Sequence, residues 1–91
     1  MINPTPLTEA FGERLLVARF NYHHVSQETI AERAEVHRTQ ITLMERGLRE
    51  PTLGTLIRVA GAVDLTVGGL LGPIRWVPGT PGCFDLGEKA R

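Results

Sequence analysis

The stretch SQETIAERAEVHRTQITLMERG, residues 26–47, restricts the fold of this chain more than any other segment. Apolar residues recur there at helical spacing in two short runs, which predicts two helices joined by a tight turn. Ser26 is the expected cap of the first helix, and the second begins near His37 and ends before Gly47. The expected inward residues are Ile30, Ala31, Ala34, Val36, Ile41 and Met44.

The crossing of these two helices sets requirements that two residues meet. Helices that cross after so short a turn need a small side chain where their axes approach, and Ala31 supplies it. They also need an apolar residue on the second helix that holds the pair together, and Ile41 supplies that. The segment therefore predicts a rigid helical pair whose second helix projects from the body of the domain.

Further helices are predicted on both sides of this pair. The first runs from a cap at Thr8 to about Tyr22, with Phe11, Leu15 and Ala18 on one face. The last is a short helix, Val67 to Leu71, which Thr66 caps and Gly72-Pro73 ends.

A fourth helix is predicted between the pair and this short helix. Pro51 marks the boundary before it and Thr52 is its expected cap. Its expected amphipathic face consists of Leu53, Leu56, Ile57, Ala60 and Val63. Gly54 and Gly61 each cost about 1 kcal/mol relative to Ala in a helix, so we expect them to permit close contact with another helix.

These elements divide the chain into three parts. Residues 1–7, with Pro4 and Pro6, read as a flexible arm, and residues 8–72 form an all-α domain of five helices. Residues 73–91 form a Pro/Gly-rich tail, for which a hairpin and an extended cover strand both remain open.

Composition excludes several classes of protein. The 91 residues carry ten basic and ten acidic side chains, so any binding to nucleic acid requires a local arrangement of donors. The single Cys83 cannot form an internal disulfide, and no apolar run of about 18 residues predicts a membrane span. No signal peptide is recognisable, so we expect a cytoplasmic protein that does not bind membranes.

The ordered blocks FGERL, SQETIAERA, VHRTQITLMERG and REPTLGTLIRVAGAV resemble the phage-repressor-like helix-turn-helix proteins, the Xre or Cro family. The resemblance covers about residues 11–71. It implies a five-helix, repressor-like fold and a transcriptional regulator that binds specific double-stranded DNA as a homodimer. In this family the second helix of the pair, here about residues 37–46, enters the major groove while the first crosses the phosphates.

The resemblance also implies roles for individual residues. The positions that match base-reading positions of the family are Arg38, Thr39, Thr42 and Leu43. Those that match phosphate-binding positions are Gln27, His37, Gln40, Arg46 and Arg49. Arginine can bond guanine O6 and N7 together, and threonine can contact a thymine methyl group or a base acceptor. The His37 imidazole has two roles open to it, capping the helix or donating to a phosphate. Arg19 and Glu45 resemble the family's structural ion pair.

Several residues depart from the family pattern. Glu35 occupies the turn position where the family prefers glycine, because glycine adopts a positive φ without strain. The connection NYHHV also replaces a glycine-containing turn and is about one residue longer than usual. The acidic residues in the DNA-facing region are Glu28, Glu32, Glu35 and Glu50, and they predict low affinity.

The tail is the predicted dimerisation element. The predicted dimer interface consists of Leu70, Leu71, Ile74, Trp76, Phe84 and Leu86. The alternative is that Trp76 covers the core of its own subunit near the fourth and fifth helices.

The sequence lacks the residue patterns of several other functions. Adjacent histidines on a helix point about 100° apart, so His23 and His24 do not form a metal site, and no cofactor motif is present. No arrangement of nucleophile and base is visible, so we do not expect an enzyme. The remaining alternative is an antitoxin or regulatory subunit whose main ligand is a partner protein.

Overall fold

A computed structural model describes residues 3–87 as a helical domain followed by a β-hairpin. The elements are α1 Pro6–Asn21, α2 Gln27–Ala34, α3 Arg38–Glu45, α4 Leu53–Ala62, α5 Val67–Leu71, β1 Arg75–Val77 and β2 Cys83–Asp85. The strands are antiparallel, with Trp76 opposite Phe84. The all-α class is therefore confirmed, and the tail takes the hairpin form of the two that the sequence left open. None of the helices in this part of the chain is long and apolar enough to cross a bilayer.

The core lies where α1, α2, α3 and α4 meet. Every inward residue predicted for the α2–α3 pair is buried or, for Val36, packed against the core. Phe11 and Leu15 of α1 complete this core from the other side, and Ala18 packs against it. The buried residues with the least exposure are Leu15, Ile30, Ile41, Met44 and Val59. Because α3 is held by Ile41 and Met44 on one face only, its opposite face remains available.

The helix starts follow the predicted caps, except in α1. The hydroxyls of Ser26 and Thr66 accept backbone N–H bonds at the starts of α2 and α5, and Thr52 caps α4 in the same way. The cap of α1 is Thr5 rather than Thr8, because the two threonines form a reciprocal capping box and Pro6 occupies the first helical turn. Residues 6 and 7 of the predicted arm therefore belong to α1, and residues 1 and 2 lie outside the described part of the chain.

The inward face of α4 differs from the prediction. Leu53 and Ile57 are 72% and 52% exposed, whereas Val59 and Ala62 are buried although the sequence did not assign them to the core. Apolar residues occur on nearly every side of this helix, so its periodicity fits two registers. Interactions with α2 select the observed one.

Two arginines connect α2 to α4 at their carboxyl ends. Arg58 Nε donates to the Ala34 carbonyl at 2.9 Å, and Arg33 Nε donates to the Ala62 carbonyl at 2.8 Å. The last carbonyls of a helix have no partner within the helix, so each arginine satisfies an otherwise unpaired acceptor. These bonds fix the rotation of α4 and turn Leu53 and Ile57 outward.

The close helix contact occurs at a different glycine from those predicted. A Cβ built at Gly12 of α1 would lie 2.6 Å from both the Met44 and the Glu45 carbonyl oxygens at the end of α3. A Cβ at Gly61 would meet no atom of residues 3–87 within 4 Å. Gly12, rather than Gly54 or Gly61, is thus the residue that allows two helices to approach.

The turn between α2 and α3 has the conformation that suits glycine. Glu35 adopts φ 60° and ψ 44°, and the amide of the following Val36 bonds the Ala31 carbonyl at 3.0 Å. His23 and His24 in the preceding connection also have positive φ, 60° and 54°. The departure from glycine at Glu35 therefore places an L-residue in a conformation that such residues rarely adopt.

We expect Glu35→Gly to raise the free energy of unfolding by about 0.5 to 1 kcal/mol, because relief of left-handed strain outweighs the added freedom of the unfolded chain. Urea denaturation followed by circular dichroism measures the change. Glu32→Gly is the matched control, since Glu32 is exposed inside α2, where glycine lowers stability by about 1 kcal/mol. An equal decrease in the free energy of unfolding of both variants would contradict the assignment of strain to Glu35.

Candidate nucleic-acid interface

The outward face of α3 carries the residues that the sequence assigned to base reading. Arg38 and Thr39 are exposed, and Thr42 and Leu43 are half-buried. These side chains lie on an eight-residue helix that is about 12 Å long. The structure thus places the four predicted base-reading residues on one short helix, and their contacts with DNA remain predictions.

A chain of polar side chains fixes α3 to α1 and α2. Arg19 donates from Nε to Glu45 Oε2 at 2.7 Å and from Nη2 to Glu45 Oε1 at 3.1 Å. Gln27 Nε2 donates to Glu45 Oε1 at 2.8 Å, and Thr42 Oγ1 donates to Gln27 Oε1 at 2.8 Å. The Arg19 and Glu45 side chains are only 12% and 6% exposed. The predicted structural ion pair is confirmed, and it extends through Gln27 to Thr42.

Gln27 therefore has a role that sequence reasoning missed. The sequence assigned it to a phosphate, but in the structure its amide joins the start of α2 to two residues of α3. Its partners are 15 and 18 residues away in sequence, so no local sequence pattern predicts these contacts. Only one of its two amide N–H groups is needed for Glu45, so the phosphate contact of Gln27 stays a prediction.

The arginines divide into two groups. Those whose side chains bond other parts of the protein are Arg14, Arg19, Arg33, Arg58 and Arg75. Arg38, Arg46 and Arg49 are exposed and make no side-chain hydrogen bond or ion pair with another residue of the described range 3–87. All three border α3: Arg38 is its first residue, Arg46 follows its last, and Arg49 lies in the connection to α4. Among residues 3–87, the arginines that the scaffold does not use are thus placed around one helix.

His37 and Gln40 have surroundings that narrow their predicted roles. His37 is the N-cap residue of α3, but its imidazole makes no capping bond to the described residues, so the capping alternative is wrong. His37 is exposed, which leaves donation to a phosphate as its predicted role. Gln40 is half-buried in the first turn of the same helix. α3 itself is two residues shorter than the predicted span of 37–46.

Acidic side chains surround this region as the sequence predicted. The glutamates at 28, 32, 35 and 50 are all exposed. Two of them, Glu28 and Glu32, line a shallow surface depression together with Arg38. Within residues 3–87, no cluster of three or more His, Cys, Asp or Glu side chains could hold a metal ion.

The predicted dimer interface needs one correction, at Leu70. Its side chain is 2% exposed because it closes the helical core of its own subunit, so it is not available to a partner. Leu71 is half-buried and packs against that core, while Ile74 and Leu86 are half-buried in the tail.

The hairpin presents an aromatic pair on its surface. Trp76 and Phe84 pack edge to face with ring centroids 5.1 Å apart, yet they are 54% and 47% exposed. The Trp76 ring also fills the space beside Gly82, where a Cβ would collide with it. Trp76 thus packs within the hairpin, and the alternative in which it covers the helical core is wrong.

A charged pair closes the hairpin next to these aromatic rings. Arg75 Nε lies 3.3 Å from Asp85 Oδ2 across the strands. The Gly87 backbone N–H donates to Asp85 at 2.9 Å and, with Arg75 beside it, lowers the pKa of the Asp85 carboxyl below its usual value. The hairpin is therefore held by its own side chains.

Two relatives resemble large parts of the sequence. An uncharacterised HTH-type transcriptional regulator, y4dL of Sinorhizobium fredii, is 33% identical over 78 residues, which are 86% of this chain and 38% of the relative. Control protein C.SmaI of Serratia marcescens is 45% identical over 51 residues, 56% of this chain and 61% of the relative. The chain thus matches less than two thirds of the length of either relative.

Solved structures resemble the fold as well. The restriction-modification controller protein C.AhdI from Aeromonas hydrophila has a TM-score of 0.68 and 30% identity, over 72% of this chain and 98% of that one. SinR, a master regulator for biofilm formation solved in complex with DNA, has a TM-score of 0.61 and 29% identity, over 67% and 97% of the two chains.

The family comparison covers the helical pair and its surroundings. The model of the family described as helix-turn-helix matches residues 23–70, more than half of the chain. The named relatives are regulators and control proteins, which confirms the expectation of a regulator that is not an enzyme. The chain therefore belongs to the phage-repressor-like helix-turn-helix family of DNA-binding transcriptional regulators.

Proposed function

We propose that the chain binds specific double-stranded DNA as a homodimer, with α3 in the major groove of each half-site. The observation that carries this proposal is the placement of Arg38, Arg46 and Arg49, the three described arginines that the scaffold does not use, around α3. Cations at a projecting helix are what binding to a groove between two phosphate backbones requires, because phosphate contacts supply much of the affinity. Support also comes from SinR, which was solved in complex with DNA.

In this proposal the side chains have separate tasks. Arg38, at the amino end of α3, bonds the O6 and N7 of a guanine. Thr39, Thr42 and Leu43 face neighbouring base edges. The phosphate contacts come from Gln27, His37, Gln40, Arg46 and Arg49. Because the chain has no net charge, these local contacts carry the attraction to DNA.

We expect Arg38→Ala to weaken binding to the specific site by about 1 to 3 kcal/mol and to relax preference at one base pair, because a base contact is lost. Arg49→Ala is the matched control, since it removes an equal charge at a predicted phosphate contact. Arg49→Ala should weaken binding to specific DNA and binding to random DNA to similar extents. Gln27→Ala is a poorer control because Gln27 also joins α2 to α3. Fluorescence anisotropy of wild type, Arg38→Ala and Arg49→Ala with both DNAs measures the six affinities. Equal losses on specific and random DNA for Arg38→Ala would contradict its role.

The proposed dimer forms through the hairpin. Trp76 and Phe84 are each about half exposed, and burial of aromatic side chains contributes the most apolar area per residue. Leu71, Ile74 and Leu86 surround them in sequence and are half-buried. In a two-fold dimer of this kind the half-site centres on DNA lie about 34 Å apart, one helical turn.

The double variant Trp76→Ser and Phe84→Ser is expected to be monomeric at low micromolar concentration and to lose at least about tenfold in affinity for the specific site, since two linked half-sites bind more tightly than one. The hairpin lies outside the helical core, so helical circular dichroism should be unchanged. Cys83→Ser is the control, because it alters an exposed position of the same hairpin outside the aromatic pair. Sedimentation velocity decides: a double variant that stays dimeric would exclude the hairpin as the interface.

A second candidate is an antitoxin or regulatory subunit that binds another protein, and the same exposed aromatic pair favours it. A structural neighbour, SinR, was solved in complex with the SinI protein. The same sedimentation experiment separates the candidates. A wild-type chain that is monomeric at high concentration leaves the pair free for a different protein. A wild-type dimer that the double variant abolishes uses the pair itself.

A further inference from the structure

The hydrogen bonds behind α3 have a fixed direction that begins at a nearly buried ion pair. The Glu45 carboxylate accepts from Arg19 Nε and Nη2, and it has only acceptor atoms to offer to Gln27. Gln27 must therefore turn its NH₂ group toward Glu45, as the 2.8 Å bond from Nε2 to Oε1 shows. Its carbonyl oxygen Oε1 then points in the other direction, toward Thr42.

This direction determines where the Thr42 proton lies. Thr42 Oγ1 is 2.8 Å from Gln27 Oε1 and 3.2 Å from the Arg38 carbonyl oxygen, one turn earlier in α3. Both neighbours are acceptors, and a hydroxyl has a single proton. With either acceptor, the hydroxyl proton forms a hydrogen bond within the protein. The Thr42 oxygen then has only lone pairs to present to a base.

We propose that Thr42 is a specificity-determining residue that accepts a hydrogen bond from the exocyclic amine of a base. This inference rests on the proposed function, in which Thr42 faces the major groove. There adenine N6 and cytosine N4 are donors, whereas guanine N7 and O6 and thymine O4 are acceptors. Thr42 therefore selects an amino base, adenine or cytosine, on the strand it contacts. Of the two contacts that the sequence allowed for threonine, bonding to a base acceptor is removed because no proton is free for it.

Selection of sites from random duplex DNA tests this preference. The wild-type protein is expected to prefer adenine or cytosine over guanine or thymine at one position, by about three- to tenfold for a single hydrogen bond. Thr42→Val keeps the shape and the methyl group but removes the oxygen, so the preference at that position should disappear. Thr42→Ser keeps the hydroxyl and should retain it. Thr55→Val removes a hydroxyl from α4, outside the proposed interface, so this control variant should leave the preference at that position unchanged.

A base analogue then tests the individual bond. At the selected position, purine replaces adenine or 2-pyrimidinone replaces cytosine, which removes the exocyclic amine alone. Wild type should lose about three- to tenfold in affinity, and Thr42→Val should lose nothing, as a double-mutant cycle requires when the two groups interact.

Two outcomes would overturn the inference. One is a preference for guanine or thymine at the position that Thr42→Val alters, which includes a thymine preference carried by the methyl group. The other is an equal effect of the analogue on wild type and Thr42→Val. Failure of the wild-type protein to select any site would instead refute the proposed function, so the two failures are distinguishable.

Discussion

Gly12→Ala is expected to lower the free energy of unfolding by about 2 to 3 kcal/mol, although alanine is intrinsically the better helix former by about 1 kcal/mol. The new methyl group would lie 2.6 Å from the carbonyl oxygens of Met44 and Glu45. These atoms belong to the backbone at the end of α3 and cannot rotate away, so α1 and α3 must separate. Separation weakens the packing of Leu15 and Met44, which are fully buried.

Gly61→Ala is the matched control for this substitution. Gly61 is exposed on α4, and a Cβ there would meet no described atom within 4 Å. Alanine at this position should raise stability by about 0.5 to 1 kcal/mol through helix propensity alone. Urea denaturation of both variants should therefore give changes of opposite sign. A gain in stability for Gly12→Ala would show that α1 and α3 do not approach as closely as described.

Arg19→Met is expected to lower the free energy of unfolding by about 3 kcal/mol, because it leaves a nearly buried carboxylate without its cation. Arg19 supplies both bonds of the fork to Glu45, and its Nη1 also donates to the Val25 carbonyl at 3.0 Å. The Glu45 side chain is 6% exposed, so water replaces these bonds poorly. Gln27 remains as a neutral donor and compensates only in part.

The double variant Arg19→Met and Glu45→Met identifies the cause. Replacement of a buried ion pair by apolar residues of similar volume is often neutral, whereas loss of one partner alone is not. The double variant should therefore be more stable than Arg19→Met. The losses in free energy of unfolding of the two single variants could instead add up in the double variant. In that case the unpaired charge would not be the source of the effect. Thermal or urea denaturation of the four proteins completes the cycle.

The elements with local signals could be predicted from the sequence. Ser26, Thr52 and Thr66 cap their helices because a side-chain oxygen within three residues of an orphaned N–H suffices. At α1 the same rule identified the wrong residue. Thr5 and Thr8 each bond the other's backbone, so either threonine could be taken for the cap. Glu35 was predicted to occupy a turn suited to glycine, and its φ of 60° confirms that conformation.

The features of the fold that depend on tertiary contacts could not be predicted from the sequence. Leu53 and Ile57 have the spacing of core residues, but Arg58 and Arg33 bond the carbonyls of the neighbouring helix and fix a different rotation of α4. No property of the sequence distinguishes Gly12 from Gly61, since only the position of α3 decides which glycine is crowded.

The candidate site shows the same division between local and distant information. Resemblance to the family supplied the Arg19–Glu45 pair and the outward face of α3. The continuation from Glu45 through Gln27 to Thr42 joins residues from two helices across 15 to 18 positions, and no motif encodes it. The division of the arginines also became visible only once the partners of Arg33 and Arg58 were known.

Selection of random duplex DNA by the wild-type protein, followed by sequencing, tests the central claim most directly. We expect a two-fold-symmetric site whose half-site centres lie about 34 Å apart, with binding that weakens as salt rises. Arg38→Ala should select the same symmetry with one base pair relaxed in each half-site. Recovery of no enriched sequence, together with unchanged retention of DNA after Arg38, Arg46 and Arg49 are all replaced by alanine, would contradict recognition of DNA through α3.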